Sequence, residues 1–235
     1  MSAFGLTVEQ EHLREVAAKV AAEVYAPRAA QWDLDRTPLP HDEVARLAEL
    51  GFLGLAIPEE YGGQGGSLVD ALVVIEELAK VCRPAAFHVF ECNTGPIRVV
   101  EQFGTEAQKQ RWLPASCRGE QTMAIGISEP EAGSAATDLT TRARREGDEW
   151  VINGNKRWIS NGGHADSYLV YCRMSDQPGA KAIGALVVPA DAPGVSFGAQ
   201  ERLMGFRGIP SADIYFDDVR VPADNLVIEE GGFGK

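Results

Sequence analysis

Residues 124–134 (AIGISEPEAGS) combine the residue types of a ligand-binding loop. The segment begins like a strand and breaks at Glu129-Pro130, and it carries two hydroxyls, Ser128 and Ser134, with small residues before the second. Small residues let backbone N–H groups approach a ligand closely, and serines add hydrogen-bond donors. This composition suits a phosphate or an electron-rich heteroaromatic ring. The alternative is a strand followed by a Glu-Pro turn that binds nothing.

Residues 156–163 (KRWISNGG) form a second candidate segment. Trp158 supplies a large flat face and Ser160 a donor two residues later, so a strand would place both on one side. Asn161 and the two glycines after it predict a turn. A flat heteroaromatic ligand is therefore expected to pack on Trp158 while Ser160 and Ser128 contact its edge. The alternative is a tryptophan in the core of a β-domain.

The first half of the chain predicts a bundle of about five helices, each with one apolar face. Three of the helix starts carry a capping residue, because Thr7 and Thr105 have capping-box spacing and Ser67 can cap another helix. The other two helices are expected over roughly 41–50 and 85–103.

Glycine and proline predict where these helices end. Gly51 is placed to adopt a left-handed cap after the second helix. Pro27 is expected to end or kink the first helix, and the last helix is expected to stop before Pro114. The reason is that proline lacks the backbone N–H that a helix interior needs.

After residue 119 the apolar spacing changes to that of short strands separated by turns. Residues 151–156 (VINGNK) predict a strand, an Asn-Gly turn and a returning strand. Further strands are expected over 167–173, 183–188, 195–198 and 212–216. Such strands predict a sandwich or barrel. We therefore expect an α+β chain of two domains, an N-terminal all-α helical bundle at residues 1–119 and a middle β-barrel or sandwich domain at residues 120–235.

The 235-residue chain is acidic, with 22 Lys plus Arg against 34 Asp plus Glu and a net charge of −12. Nucleic acids and anionic membranes are bound by clustered cations, so neither partner is expected. The longest apolar runs are about nine residues, whereas a membrane-spanning helix needs roughly 20. The N-terminus also lacks a signal-peptide pattern, so a cytoplasmic location is expected. Four widely spaced cysteines predict free thiols and no metal site.

Six ordered segments of the chain resemble the acyl-CoA dehydrogenase family. They are ELGFLGLAIPEEYGGQG (49–65), EELAKV (76–81), QFGTEAQKQRWLP (102–114), GISEPEAGS (126–134), NGNKRWISNGG (153–163) and FDDVRVPADNLV (216–227). Together they extend over nearly the whole chain. The resemblance implies the N-terminal helical domain and the middle β-barrel domain of the family, in which a C-terminal helical bundle follows.

The resemblance also implies FAD as the cofactor, bound in the family between the middle and C-terminal domains. The residues that it assigns to cofactor binding are Ile125, Ile127, Ser128, Ser134, Trp158 and Ser160. Ser134 is expected to contact either the FAD pyrophosphate or the CoA of the substrate, and Glu91 falls where the acyl pocket of the family is lined. No acidic residue here matches the catalytic base of the family, a carboxylate of the C-terminal bundle.

The activity implied by the resemblance is α,β-dehydrogenation of an acyl-CoA thioester, with hydride transfer to flavin N5. The implied partners are the acyl-CoA substrate, an electron-transfer flavoprotein as acceptor and further copies of the full-length protein in a homo-oligomer. Because the base is expected in a missing C-terminal domain, we expect a truncated chain with little or no activity alone. The alternatives are an acyl-CoA oxidase or flavin monooxygenase of the same fold, or a non-catalytic partner subunit.

Overall fold

The computed structural model of the chain describes residues 5–233, in which a helical region precedes a β-region. This order confirms the α+β fold class. The α-helices are α1 Val8–Val20, α2 Ala26–Asp35, α3 His41–Glu49, α4 Leu68–Ala79, α5 Arg83–Asn93, α6 Pro96–Phe103 and α7 Glu106–Cys117. Within the described part of the chain, none of the helices is both long and apolar enough to cross a bilayer.

The strands of the β-region form one mixed sheet. They are β1 Met123–Gly126, β2 Arg142–Glu146, β3 Glu149–Ser160, β4 Ser167–Arg173, β5 Ile183–Pro189, β6 Val195–Phe197, β7 Ser211–Pro222 and β8 Leu226–Ile228. The strand order is β6-β7-β3-β2-β4-β5-β8, and β1 pairs in parallel with β4. Strand β3 lies between β2 and β7 and is antiparallel to both.

The chain divides into two compact units. The helical unit comprises residues up to 94 together with 113–120 and 203–209, and the β unit comprises 95–112, 121–202 and the residues from 210 onward. Each unit has a hydrophobic core of its own. The division between residues 119 and 120 expected from the sequence stays a prediction.

The helical unit is built from helices whose starts are capped locally. The Thr7 side chain accepts from the Gln10 backbone N–H, and the Gln10 side chain accepts from the Thr7 backbone N–H, which confirms that capping box. Ser67 forms the equivalent box with Asp70 at the start of α4. Gly51 follows α3 with a φ of +71°, the left-handed cap that the sequence predicted.

Two predictions about the helices were wrong, whereas the first helix is interrupted close to Pro27 as expected. Helix α1 ends at Val20, a π-helical turn follows at Ala21–Tyr25, and Pro27 lies in the first turn of α2, where no backbone N–H donor is needed. The helix expected over 85–103 is broken at Gly95, because proline at residue 96 disfavours helical geometry in the residue before it. Pro114 lies inside α7, where Arg118 N–H donates to Pro114 O at 3.1 Å and the helix resumes after one lost bond.

The predicted hairpin at residues 151–156 was also wrong, because these residues belong to the single twelve-residue strand β3. The sharp turn lies before them, at Gly147, which has a φ of +64° and lies between paired Glu146 and Glu149. Gly154 instead marks a register shift against β7. A Cβ atom at Gly154 would lie 2.6 Å from Thr141 Oγ1, so the close approach of these backbones requires glycine.

The other predicted strands of the β unit agree with the structure within a residue or two, except that β7 continues six residues beyond the expected end at residue 216. Strand β4 occupies the predicted range, Ser167–Arg173. The four cysteines, one of which lies in β4, are all buried free thiols, as expected.

Candidate functional site

The first candidate segment, which we call the serine loop (residues 124–134), begins within strand β1. Ile125 and Ile127 are half-buried and flank the buried Gly126, which leaves room for the side chain of Lys156: a Cβ atom at Gly126 would lie 3.3 Å from Lys156 Cγ. Glu129 and Ala132 then exchange two backbone hydrogen bonds, at 3.0 and 3.1 Å. The predicted turn at Glu129-Pro130 is therefore present, and the exposed Ser134 lies beyond it.

The second candidate segment, the indole segment (residues 156–163), presents its tryptophan to solvent. Trp158 is 61% exposed, so the alternative of a core tryptophan is wrong. Its φ is +58°, and the pairing of β3 with β7 shifts register between Lys156 and Ile159. Ile159 is buried and Ser160 is half-buried. The bulge thus turns a large aromatic face outward from a strand whose next residue packs in the core.

The structure brings the two segments together through one backbone and one side-chain hydrogen bond. Arg157 N–H donates to Ser128 O at 2.9 Å. Lys156 Nζ donates to Ile127 O at 3.1 Å. Ser128 is therefore hydrogen-bonded to Arg157, the residue that precedes Trp158. These hydrogen bonds explain why the serine loop and the indole segment lie close together, as predicted.

A buried ion pair reinforces this connection. Lys156 Nζ lies 2.7 Å from Glu129 Oε1, and the two side chains are 0% and 2% exposed. The carboxylate also accepts from the backbone N–H groups of Thr140 at 2.6 Å and Thr141 at 3.0 Å. Burial by itself raises the pKa of Glu129, but Lys156 and the threonine donors outweigh burial and bring that pKa to about 2. Glu129 is therefore ionised at neutral pH.

A second acidic side chain holds the indole segment from strand β7. Asp213 Oδ1 accepts from Trp158 N–H and from Arg157 Nε, each at 3.3 Å. Asp213 is only 7% exposed. The guanidinium carbon of Arg157 lies 5.6 Å from the centroid of the Trp158 ring, within the range of a cation–π contact.

The turn after Ser160 is fixed by the rest of the β unit. Asn161 is buried with a φ of +58°, and its N–H donates to Pro210 O at 2.7 Å. The Tyr168 hydroxyl donates to Asn161 O at 3.0 Å and accepts from Gly163 N–H at 2.8 Å. Together with the bond from Gly162 N–H to Ile159 O at 2.9 Å, these bonds engage all three residues of the predicted turn and fix the backbone that follows Ser160.

The residue expected in the acyl pocket lies in the other unit. Glu91 is on helix α5 and is 4% exposed, so it is not a solvated surface carboxylate. The six residues expected at the cofactor all lie in the β unit, in the serine loop and the indole segment.

Sequence reasoning missed Lys156, Glu129 and Asp213. Lys156 and Glu129 stood inside the two candidate segments, where a pair of opposite charges beside predicted strands was the available signal. Asp213 stood inside a predicted strand between Ala212 and Ile214, and an acid between two apolar strand residues signals a charge held near the core.

The arrangement suits a flat aromatic ligand. An exposed indole offers a stacking face, and hydroxyl and backbone groups lie on the connected serine loop. Both acidic side chains that organise the site already accept several hydrogen bonds from protein donors. They therefore position the surrounding groups and are poorly suited to take a proton from a ligand.

Comparison with known proteins gives matches along nearly the whole chain. Residues 7–120 match the family model of the acyl-CoA dehydrogenase N-terminal domain, and residues 124–219 match that of the acyl-CoA dehydrogenase middle domain. The chain is 41% identical over 231 residues to a 3-sulfinopropanoyl-CoA desulfinase of Paraburkholderia xenovorans, which covers 97% of this chain and 58% of that protein.

Two further relatives agree with these matches. The mitochondrial isobutyryl-CoA dehydrogenase of Dictyostelium discoideum is 37% identical over 229 residues, which covers 97% of this chain and 54% of that protein. The crystal structure of a glutaryl-CoA dehydrogenase from Mycobacterium smegmatis in complex with FADH2 superimposes with a TM-score of 0.88 at 27% identity, covering 96% of this chain and 57% of that one. The chain thus spans little more than half the length of these relatives.

Proposed function

The chain belongs to the acyl-CoA dehydrogenase family, and we propose that it forms the flavin-binding part of an FAD-dependent acyl-CoA dehydrogenase. Such an enzyme removes two hydrogens from the α and β carbons of an acyl-CoA thioester. The observation that carries this proposal is the exposed indole of Trp158 beside the serine loop. An aromatic side chain of this size that is turned out of a core strand offers a face on which a flat ring can stack.

The residues present fit a flavin. In the proposal the ring packs against Trp158, while Ser128, Ser160 and the backbone at Ile125 and Ile127 supply hydrogen bonds and apolar contact at its edge. Ser134 is exposed beyond the turn, which suits contact with the FAD pyrophosphate or the CoA of the substrate. Bound FAD would accept the two electrons that leave the acyl group. The residues of this chain hold and orient the ring, and Glu91 is proposed to line the acyl pocket.

The catalytic base is proposed to come from elsewhere in the enzyme. The pKa of Glu129 is about 2, and the oxygens of its carboxylate are occupied by Lys156 and two backbone N–H groups, so Glu129 is a weak base. Asp213 is similarly engaged. The relatives are longer than this chain, and a carboxylate in their additional length is the proposed base. Residues 1–235 alone are therefore expected to have little or no activity.

The proposal is tested on the protein expressed from its complete reading frame. Purified protein is expected to be yellow, and anaerobic addition of isobutyryl-CoA, butyryl-CoA or glutaryl-CoA is expected to bleach the flavin with at least one of them. Trp158→Ala should weaken FAD binding by about tenfold, because stacking on an indole contributes on the order of 1 kcal/mol beyond its buried area. Tyr215→Ala, another exposed aromatic of the β unit, is the matched control and should bind FAD normally.

A colourless protein, or a Trp158→Ala variant that retains FAD like the wild type, would contradict the proposal.

The electron acceptor is proposed to be an electron-transfer flavoprotein, and the full-length protein is proposed to be a homo-oligomer. Rapid peroxide formation from the reduced protein in air would instead favour an acyl-CoA oxidase. Oxygenated product would favour a flavin monooxygenase, and a protein that never reduces its flavin would favour a non-catalytic partner subunit.

A second candidate reaction is desulfination. The desulfinase relative is 41% identical to this chain, against 37% for the isobutyryl-CoA dehydrogenase. The same substrate panel should therefore include 3-sulfinopropanoyl-CoA, with sulfite measured as the product. Sulfite release without bleaching by any of the acyl-CoA compounds would assign the chain to desulfination rather than to dehydrogenation.

A further inference from the structure

We propose that Asp213 is a positioning residue that holds the indole of Trp158 in the orientation in which it meets the flavin. The identity of the ligand rests on the proposed function. The positioning role itself rests on the hydrogen bonds that Asp213 makes. Asp213 belongs to strand β7, which pairs with β3, and its carboxylate accepts a hydrogen bond from the indole segment.

The backbone conformation of Trp158 must be stabilised by contacts from outside the indole segment. Its φ of +58° lies in the left-handed region, which a bulky residue adopts only where the surrounding structure enforces it. The register shift between Lys156 and Ile159 removes the regular ladder bonds at this point of β3. Asp213 Oδ1 accepts the Trp158 N–H at 3.3 Å and thereby replaces the lost ladder partner with a side-chain carboxylate.

The same carboxylate fixes the neighbouring cation. Arg157 Nε lies 3.3 Å from Asp213 Oδ1 and 3.2 Å from Oδ2, and the carboxylate side chain is only 10% exposed. The Arg157 side chain is 39% exposed, and a hydrogen bond between charged groups is stronger than one between neutral groups. The Arg157 guanidinium in turn lies 5.6 Å from the indole centroid, so one carboxylate restrains both the backbone and one face of the tryptophan.

This restraint extends to the serine loop. Arg157 is also the residue whose backbone N–H donates to Ser128 O at 2.9 Å. A shift of Arg157 would therefore move the indole and Ser128 relative to each other. Asp213 sets the spacing between the two groups that are proposed to contact the flavin, although it contacts no ligand itself.

The test is a double-mutant cycle on FAD affinity in the protein expressed from its complete reading frame. Asp213→Ala should weaken FAD binding by about tenfold, and Asp213→Asn, which keeps a neutral acceptor for Trp158 N–H, should weaken it by about threefold. Asp217→Ala removes an exposed acid from the same strand and should bind FAD like the wild type. In a Trp158→Ala background, Asp213→Ala should have a much smaller effect, because the part of its action that passes through the indole is gone.

A second readout needs no flavin. Trp158 is the most exposed of the four tryptophans. Acrylamide quenching of tryptophan fluorescence in the FAD-free protein therefore reports the surroundings of Trp158, once the fluorescence of a Trp158→Phe variant has been subtracted. Asp213→Ala should change this Trp158 quenching, and Asp217→Ala should not. Urea unfolding of each variant confirms that it remains folded.

The outcomes separate this inference from the proposed function. If Trp158→Ala weakens FAD binding and Asp213→Ala does not, or if the effect of Asp213→Ala persists unchanged without the indole, the positioning role is overturned and the flavin site stands. If Asp213→Ala alters Trp158 quenching while neither variant affects FAD, the positioning role stands and the flavin site is overturned.

Discussion

Lys156 Nζ lies 2.7 Å from Glu129 Oε1, with both side chains sealed from solvent, and this ion pair joins the two segments of the proposed flavin site. Glu129 closes the turn of the serine loop, and Lys156 precedes the bulge that exposes the indole. Lys156 also donates to Ile127 O, so one ammonium group organises the end of strand β1 and the turn that follows it.

Removing one partner of this pair should destabilise the β unit strongly. Lys156→Met leaves the Glu129 carboxylate buried without its cation, and the free energy of unfolding should fall by about 3–5 kcal/mol in urea titrations. The double variant Lys156→Met/Glu129→Leu should recover part of the loss, because no uncompensated charge remains. Arg144→Met, which breaks the exposed pair with Glu146, should lower the free energy of unfolding by less than about 1 kcal/mol. A Lys156→Met variant as stable as Arg144→Met would show that the pair contributes nothing.

The same pair predicts a specific dependence of stability on pH. The pKa of Glu129 is about 2 in the folded chain against an ordinary value of 4.5. Because the folded pKa is lowered, the contribution is complete above pH 4.5 and is lost as the pH falls towards 2. The wild type and Glu129→Gln should therefore differ in unfolding free energy by a constant amount at pH 5–7, on the order of 3 kcal/mol. Below pH 4.5 the difference should shrink, and a constant difference down to pH 3 would contradict the lowered pKa.

The features that the sequence predicted correctly are those determined by neighbouring residues. Thr7 and Ser67 cap their helices with groups three residues away, and Gly51 needs only its own left-handed φ. The two candidate segments were also selected on local features, namely their hydroxyls, small residues and indole, and their role in binding stays a prediction.

The features that the sequence could not predict depend on distant strands. The Asn-Gly pair at residues 153 and 154 has the composition of a hairpin turn, but strand β7 pairs with it on one side, with Gly154 opposite Phe216. The positive φ of Trp158 and its bond to Asp213 likewise arise between residues 55 positions apart. Alternation along one strand carries no information about such a partner.

The turn after Ser160 should not tolerate a side chain at residue 162. A Cβ atom at Gly162 would lie 2.8 Å from both Ala212 O and Ile159 O, and backbone atoms cannot give way as a flexible side chain does. Gly162→Ala should therefore lower the free energy of unfolding by about 1–3 kcal/mol and weaken FAD binding, because Ser160 is displaced. Gly205→Ala is the control: no described atom lies within 4 Å of the added carbon, and the change should stay within about 0.5 kcal/mol. Equal unfolding midpoints for the two variants would contradict the tight packing of this turn.

Two buried tyrosines should respond in opposite ways to loss of their hydroxyl. The Tyr25 hydroxyl has no hydrogen-bond partner among the described residues, and burial raises the pKa of this side chain. Tyr25→Phe removes an unsatisfied polar group, so the unfolding free energy should stay unchanged or rise by up to about 1 kcal/mol. The Tyr168 hydroxyl bridges Asn161 O and Gly163 N–H, so Tyr168→Phe should lower the unfolding free energy by about 1–3 kcal/mol. Both changes delete one oxygen from a fully buried ring. Urea titrations of the two variants side by side therefore isolate the contribution of the two Tyr168 hydrogen bonds to the free energy of unfolding. A loss at Tyr25 as large as that at Tyr168 would mean that the Tyr25 hydroxyl is satisfied in solution.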